Sequence, residues 1–94
     1  MEEAVRPPRL GVVVPVHNGE ATLPRVLEAL TSELRDGDSL VVADDRSGDA
    51  SADVARSQGA EVVPSRAPGA SAARNSGAAA CHADWILFTD SDAV

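Results

Sequence analysis

The sequence predicts a three-layer α/β fold with a mainly parallel sheet. Four short apolar segments alternate with three segments of helical spacing, which gives the order βαβαβαβ. The apolar segments lack the alternation of a half-exposed strand, which is typical of parallel strands buried on both faces. Because right-handed crossovers join parallel strands, helices are expected on both faces of the sheet. The domain is predicted over residues 10–94, after a flexible lead-in of residues 1–9 that contains two adjacent prolines.

Proline and glycine mark the ends of the predicted elements. Pro15 and Pro64 are expected to end strands one and three, because proline cannot donate a hydrogen bond to a neighbouring strand. Gly59 is expected just after helix two, where glycine readily takes a positive φ. The predicted strands cover residues 10–14, 39–43, 60–63 and 85–89, and the predicted helices cover residues 23–34, about 50–58 and a segment that begins at residue 70.

Three polar side chains are candidates for capping the first two helices. Thr22 lies at the expected N-cap of helix one, and Pro24 falls within the first turn, where its missing N–H does no harm. Ser47 and Asp49 are the candidates for helix two. Helix three carries small side chains on one stripe, which allow close approach to the sheet: Ala70, Ala73, Gly77 and Ala80.

Composition narrows the classes of partner. The chain has 94 residues, with eight basic and fifteen acidic side chains and a net charge of −7. Nucleic acid is therefore not expected as a partner, because binding its phosphates requires basic side chains. The single cysteine, Cys81, cannot form an internal disulfide, and no signal peptide is recognisable, so a cytoplasmic location is expected. No apolar run approaches the roughly 20 residues of a membrane span.

Polar residues cluster after the predicted strands. In parallel α/β sheets, ligands bind outside the carboxyl ends of the strands. Those ends carry Val16-His17-Asn18, Asp44-Asp45, Ser65-Arg66 and Asp90-Ser91-Asp92. The chemically capable groups are therefore expected along one edge of the sheet.

Asp90 and Asp92 are candidate ligands of a divalent cation. They are separated by one residue, so in an extended segment both carboxylates project to the same side. An acidic edge repels phosphates unless a cation reverses its charge, and carboxylate oxygens suit Mg²⁺ or Mn²⁺. The alternative interpretation is a solvated turn.

Asp45, Arg74 and His17 are further candidates for ligand binding. A carboxylate at Asp45 can accept a hydrogen bond from uracil N3–H or guanine N1–H, whereas cytosine offers no such donor. Arg74 lies in the first half of helix three, where a guanidinium and the helix dipole both favour an anion; the alternative is a surface arginine. His17 either stacks on a base or fills a loop, and no second His or Cys stands at metal-ligand spacing.

These stretches together resemble the nucleotide-binding half of a family 2 glycosyltransferase with the GT-A fold. The likeness is carried by residues 12–20 (VVVPVHNGE), 41–49 (VVADDRSGD), 69–77 (GASAARNSG) and 85–92 (WILFTDSD). It covers nearly the whole chain from Leu10 onward but only about the first half of the family's domain. The resemblance implies a Rossmann-like sheet of the GT-A type that is truncated after the D-x-D motif.

The resemblance also implies roles for single residues. Pro15, Val16, His17 and Asn18 line the nucleoside, Asp45 contacts the base, and Arg74 lies near the diphosphate. Asp90 and Asp92 form the metal-binding D-x-D motif, with Asp90 also facing the nucleotide sugar, and the metal is Mg²⁺ or Mn²⁺. No catalytic base is expected within the chain, because in such enzymes it lies downstream of Val94.

The implied reaction transfers a sugar from a nucleotide diphosphate sugar, expected to be UDP-linked, to an acceptor hydroxyl with inversion. The acceptor is a glycan, a lipid or a protein, as in cell wall or polysaccharide biosynthesis. Downstream segments in such enzymes often attach the protein to the inner face of the membrane.

Two other interpretations remain open. A half-domain could bind nucleotide without catalysis, pair with another chain, or be inactive because its exposed sheet edge and uncovered core leave it unstable. An apolar strand followed by D-x-D-x-V also occurs in haloacid dehalogenase-type phosphatases, in which Asp90 would be the nucleophile. That enzyme would need a domain after the motif, whereas the residues before the motif already fit the glycosyltransferase pattern.

Overall fold

The computed structural model describes residues 8–91 and contains seven elements in the predicted order. The elements are β1 (Leu10–Val16), α1 (Leu23–Glu33), β2 (Ser39–Asp44), α2 (Ser51–Ser57), β3 (Glu61–Pro64), α3 (Ala70–Ala80) and β4 (Trp85–Phe88). The predicted α/β class is confirmed. Most of the expected lead-in and the predicted metal ligand Asp92 lie outside the described residues. None of the helices in residues 8–91 is long and apolar enough to cross a membrane.

All four strands are parallel and stand in the order β3-β2-β1-β4. Val13 of β1 lies opposite Val41 of β2 on one side and Phe88 of β4 on the other. The chain adds β2 and β3 on one side of β1 and then returns to add β4 on the other side. This reversal of direction between β1 and β4 is where open α/β sheets form a ligand-binding crevice.

β1 continues through Pro15, so the prediction that this proline ends the strand is wrong. Pro15 is in register with Ala43 of β2, whereas the pairing of β1 with β4 stops at Val13. Pro15 therefore lies beyond the paired part of β4, and its missing N–H leaves no ladder bond unmade on that side. Pro64 is the last residue of β3, at the edge of the sheet, where proline is tolerated.

Helices cover both faces of the central strands. α1 and α2 pack on one face, and the buried residues of that cluster are Val12, Val14, Val16, Leu23, Leu27, Val42, Ala55 and Ala60. On the opposite face, under α3, Val13, Val41 and Ala43 are fully buried. β1 and β2 are thus buried on both faces, as their continuous apolar runs predict.

α3 approaches the sheet closely because residue 77 has no side chain. A Cβ placed on Gly77 would lie 2.3 Å from Val13 Cγ1, which is closer than atoms can pack. Of the predicted stripe, the middle pair Ala73 and Gly77 is buried, whereas Ala70 is exposed and Ala80 is half-buried. The close contact is therefore limited to the central turns of the helix.

β4 is an edge strand whose side chains lie outside the core. The exposed fractions are 67 % for Trp85, 38 % for Ile86, 50 % for Leu87 and 44 % for Phe88. Successive residues of a strand point to opposite faces, so neither helical layer covers β4. The described residues therefore present an apolar sheet edge beside the reversal point.

Thr22 is confirmed at the N-cap position of α1 but forms no side-chain cap, and the capping prediction for Ser47 is wrong. Thr22 occupies the N-cap position of α1, but its side chain makes no capping bond and its hydroxyl donates to the carbonyl oxygen of Ser91. The Ser47 hydroxyl accepts from the backbone N–H of Asn18. Each hydroxyl is hydrogen-bonded to the backbone of a segment that is remote in sequence.

Candidate functional site

The segments that follow β1, β2 and β4 meet at the carboxyl edge of the sheet. The backbone N–H of Asp45 donates to Val16 O at 2.7 Å, and that of Thr89 donates to Val13 O at 3.1 Å. The backbone hydrogen bonding thus continues just past the strands. It fixes the direction in which each following segment leaves the sheet.

Two adjoining clefts open at this edge. The first has a volume of about 340 Å³ and is lined by Pro15, Val16, His17, Asp45, Ala70, Ala73, Asp90 and Ser91. The second has a volume of about 460 Å³ and is lined by Pro15, Arg74, Phe88, Thr89 and Asp90. Pro15 and Asp90 line both clefts, which places the two volumes next to each other.

Most of the predicted site residues come together here. The first cleft collects five of them: Pro15, Val16, His17, Asp45 and Asp90. Arg74 lines the second cleft together with Asp90. Asn18 is not among the lining residues of these clefts, and Asp92 lies outside the described residues.

Five lining residues were not predicted to contact a ligand: Ala70, Ala73 and Ser91 in the first cleft, and Phe88 and Thr89 in the second. Ala70 and Ala73 were identified from the sequence only as small packing residues, and their lack of bulk leaves room for the cleft. Ser91 stands between the two predicted metal ligands, so its position in the sequence could have identified it.

Asn18 connects the segment after β1 to the segment after β2. Its backbone N–H donates to Ser47 Oγ at 2.9 Å, and its side-chain Oδ1 accepts from the Gly48 N–H at 2.7 Å. Asn18 has a φ of 53°, in the left-handed region that asparagine adopts more readily than most residues. Its observed contacts are therefore with the neighbouring loop, which it holds against the end of β1.

Hydrogen bonds on both ring nitrogens hold His17 in one tautomer. Nδ1 lies 2.6 Å from the carbonyl oxygen of Asp45, and Nε2 lies 3.3 Å from Asn18 Nδ2. A carbonyl oxygen only accepts, so Nδ1 carries the proton. The bond from Gly48 fixes the Asn18 amide so that its nitrogen donates to Nε2. The ring is thereby held at the wall of the first cleft.

Asp45 links the first cleft to the start of α3. Its Oδ2 accepts from the Gly69 N–H at 2.9 Å, and its Oδ1 lies 3.6 Å from Arg46 Nη1. The side chain is only 15 % exposed. An ionised carboxylate can accept about four hydrogen bonds, so Asp45 retains capacity for a donor on a ligand in the cleft.

Asp49 holds the far end of the β2–α2 loop. Its Oδ2 accepts from the Glu20 N–H at 3.1 Å, and its Oδ1 accepts from the Ser51 N–H at 3.0 Å and from the Ser51 hydroxyl. The Ser51 hydroxyl and these N–H groups bond the ionised form and so hold the pKa of Asp49 below its ordinary value. The predicted capping role is confirmed in part, since Asp49 satisfies the first N–H of α2 and also ties that helix to the β1–α1 loop.

Asp90 is the described residue best placed to bind a metal. It is exposed and lines both clefts at the end of β4. Residues 8–91 contain no group of three or more His, Cys, Asp or Glu side chains that could hold a metal ion. Mg²⁺ is commonly bound by one or two carboxylates together with substrate phosphates rather than by a closed protein cage. Asp90 fits that donor set, and Asp92, two residues further on, lies outside the described residues.

Cys81 does not join the site. Its Sγ lies 3.1 Å from where a Cβ on Gly11 would stand, near the start of β1 and therefore at the opposite edge of the sheet. Burial raises the pKa of the Cys81 thiol, which keeps it neutral. This position agrees with a packing role.

Comparison with known proteins identifies the family of this chain. The family model for glycosyl transferase family 2 matches residues 11–94. The chain belongs to this family. The resemblance found in the sequence is thereby confirmed, and the match includes the D-x-D motif that suggested a phosphatase as an alternative.

Individual relatives agree with the family assignment. EpsH of Bacillus subtilis (strain 168), which is named as a glycosyltransferase, is 31 % identical over 90 residues, covering 90 % of this chain and 26 % of that protein. A glycosyltransferase of Haemophilus influenzae is 34 % identical over 86 residues, covering 88 % of this chain and 29 % of that protein. This chain thus spans less than a third of the length of either relative.

The fold is similar to that of solved glycosyltransferase structures. Glucosyl-3-phosphoglycerate synthase of Mycobacterium tuberculosis in complex with UDP superposes with a TM-score of 0.84 and 33 % identity, covering 93 % of this chain and 35 % of that chain. Other crystal structures of that synthase contain Mn²⁺ with UDP-glucose and phosphoglyceric acid, or Mg²⁺ with UDP. The neighbouring enzyme therefore binds a UDP-linked donor together with a divalent metal.

Proposed function

We propose that residues 10–94 form the donor-binding half of a glycosyltransferase that transfers a sugar from a UDP-linked donor to an acceptor hydroxyl. The observation that carries this proposal is the pair of adjoining clefts, which we call the donor site, with Asp45 in one, Arg74 in the other and Asp90 in both. The alternative is a half-domain that binds nucleotide without catalysis. A structural neighbour with UDP and glucosyl-3-phosphoglycerate bound favours the enzyme.

The first cleft suits a nucleoside. Pro15 and Val16 supply apolar wall, and the ring of His17 is held in place for contact with a planar base. The Asp45 carboxylate can accept a hydrogen bond from an imide N–H, which uracil and guanine carry. The UDP complexes of the similar synthase favour uracil. Asn18 would act indirectly, by holding in place the loop that carries Asp45.

The second cleft suits the diphosphate. Arg74 can pair with phosphate oxygens, and the nearby N-terminus of α3 adds a favourable dipole. Asp90 and Asp92 would hold Mg²⁺ or Mn²⁺ between the protein and the phosphates, as their hard oxygen ligands allow. A cation bound there supplies Lewis-acid stabilisation of the negative charge that develops on the leaving diphosphate.

Donor binding is the only role assigned to these residues. The chain covers about a third of the solved synthase, and acceptor recognition and acceptor deprotonation are assigned to none of residues 10–94.

Titration with UDP in the presence and absence of Mn²⁺ tests the proposal. We expect UDP to bind weakly in EDTA and more tightly with Mn²⁺, and we expect Asp90→Ala or Asp92→Ala to remove that difference. Asp36→Ala is the matched control, because Asp36 is an exposed aspartate in the loop before β2, at the opposite edge of the sheet. Titration curves of the wild type that are independent of Mn²⁺ would contradict the metal-assisted site, and no binding of UDP to a folded chain would favour the inactive half-domain.

A further inference from the structure

Thr22 is the N-cap residue of α1, but its hydroxyl is free of that helix's N–H groups. Its φ and ψ are −104° and −24°, and its side chain makes no capping hydrogen bond. The hydroxyl has one proton, and it lies 2.9 Å from the carbonyl oxygen of Ser91 and 3.5 Å from that of Gly19. The shorter contact is the hydrogen bond, and it joins residues that are 69 positions apart.

The partner of Thr22 is the residue between the two aspartates of the D-x-D motif. Before this residue, the Thr89 N–H donates to Val13 O at 3.1 Å, which ties the end of β4 to β1. The Thr22 hydroxyl then binds the backbone two residues further on, at Ser91. The motif therefore has one backbone anchor on the sheet and a second on the start of α1.

The space between these segments is tight. A Cβ on Gly19 would lie 2.7 Å from Val16 Cγ2 and 3.3 Å from Ser91 Oγ. A side chain at position 19 would clash with Val16 and press on Ser91, so glycine lets the β1–α1 loop lie against both. The Thr22 hydroxyl is thus brought to Ser91 by the backbone path of the loop.

We propose that Thr22 is a positioning residue for metal binding: it fixes the Ser91 backbone so that the preceding carboxylate, Asp90, is held at the donor site. The inference rests on the proposed function, because it assumes that Asp90 binds the metal. Thr22 itself does not line either cleft, so its effect is exerted through the backbone of the motif. Partners that orient metal ligands in this way typically change metal affinity by about 10–100-fold when they are removed.

Three variants of the full chain test this role. Thr22→Val keeps the shape of the side chain and removes the donor, and Thr22→Ser restores the donor. Thr31→Val is the matched control, because Thr31 lies in α1, the helix that Thr22 precedes, and its hydroxyl donates to Leu27 O within that helix. Urea unfolding of each variant establishes that all of them are folded before binding is compared.

The first measurement is the dependence of UDP binding on Mn²⁺ concentration. We expect Thr22→Val to weaken the apparent Mn²⁺ affinity by about 10–100-fold while leaving UDP affinity in EDTA unchanged. Thr22→Ser and Thr31→Val should resemble the wild type. An unchanged Mn²⁺ dependence in folded Thr22→Val, or an equal loss of UDP affinity with and without the metal, would overturn the proposal.

The second measurement separates this inference from the proposed function. Amide hydrogen exchange at Thr89, whose N–H donates to Val13 O just before the motif, should become several-fold faster in Thr22→Val than in Thr31→Val, with β1 unchanged in both. If the wild type binds UDP independently of Mn²⁺, the proposed function fails even when this exchange difference is seen. If the exchange rate at Thr89 does not change, the positioning role fails whatever the wild type binds.

Discussion

At the scale of single residues, the donor site is held by carboxylates and amides that bind the backbone of a neighbouring loop. Asp49 accepts hydrogen bonds from Glu20 and Ser51, and Asn18 bonds Ser47 and Gly48. Asn18 and Asp49 each join the β1–α1 loop to the β2–α2 loop by hydrogen bonds. The site therefore depends on these few polar contacts.

The lowered pKa of Asp49 predicts a loss of stability in acid. Because its hydrogen bonds favour the ionised form in the folded state, its contribution is complete above the ordinary carboxyl pKa near 3.8 and is lost as the pH falls through the lowered value. We expect Asp49→Asn to lower the urea midpoint at pH 6 and to reduce the further fall between pH 6 and pH 3. Asp36 is an exposed aspartate, so Asp36→Asn should leave the urea midpoint at pH 6, and its fall between pH 6 and pH 3, close to the wild-type values. A wild-type decline that Asp49→Asn does not reduce would contradict this assignment.

Gly77 is the residue at which helix and sheet approach most closely. In an exposed helix a change from glycine to alanine stabilises by about 1 kcal/mol. Here the new Cβ would stand 2.3 Å from a methyl of the fully buried Val13, so the helix or the sheet must shift. We expect Gly77→Ala to destabilise the fold by about 1–3 kcal/mol, measured by urea unfolding. Gly48→Ala, whose Cβ would come no closer than 3.9 Å to Asn18, should cost much less; equal effects would show that α3 can retreat freely.

At the scale of elements, the type and order of all seven segments could be predicted from the sequence. Continuous valine runs identify strands buried on both faces, and the stripe Leu23, Val26 and Leu27 identifies the buried face of α1. The end of β1 at Pro15 was predicted wrongly, because whether proline is tolerated depends on how far β4 extends beside it. Strand length in a neighbour is a tertiary property that a local pattern does not contain.

The candidate site could likewise be predicted where it depends on the order of the strands, but not where it depends on tertiary contacts. The sequence places Asp45 and Asp90 at the correct edge of the sheet, because carboxyl ends of parallel strands converge. The hydrogen bonds from the Thr22 hydroxyl to Ser91 O and from the Gly48 N–H to Asn18 Oδ1 could not be predicted, because they join residues 69 and 30 positions apart. Such bonds depend on backbone conformation, as the left-handed φ of Asn18 illustrates.

The exposure of β4 predicts uneven stability across the sheet. β1 is hydrogen-bonded on both sides and covered on both faces, whereas β4 is paired on one side and its four side chains are 38–67 % exposed. We therefore expect the amides of residues 12–14 to exchange with solvent much more slowly than those of residues 86–88. Exchange followed by NMR at two protein concentrations measures this difference. Equal protection at low concentration would show that β4 is more stably held than its exposure implies.

At the scale of the whole molecule, charge opposes the ligand that the donor site is proposed to bind. The chain carries a net charge of −7, and Asp45 and Asp90 line the clefts where a diphosphate would lie. Arg74 is the cation that lines the second cleft. The balance of these charges decides whether a nucleotide can bind before a metal does.

Salt dependence tests this balance. Uridine is uncharged and would contact only the first cleft, whereas UDP adds negative charge beside Asp90. In EDTA at low salt we expect UDP to bind more weakly than uridine, and we expect the difference to narrow with added salt, because the screening length falls from about 30 Å at 0.01 M to about 10 Å at 0.1 M. With Mn²⁺ the order should reverse, since the cation inverts the local charge. If UDP binds more tightly than uridine in EDTA, Arg74 and the N-terminus of α3 outweigh the acidic edge, and the Arg74→Gln variant should then bind UDP no better than uridine.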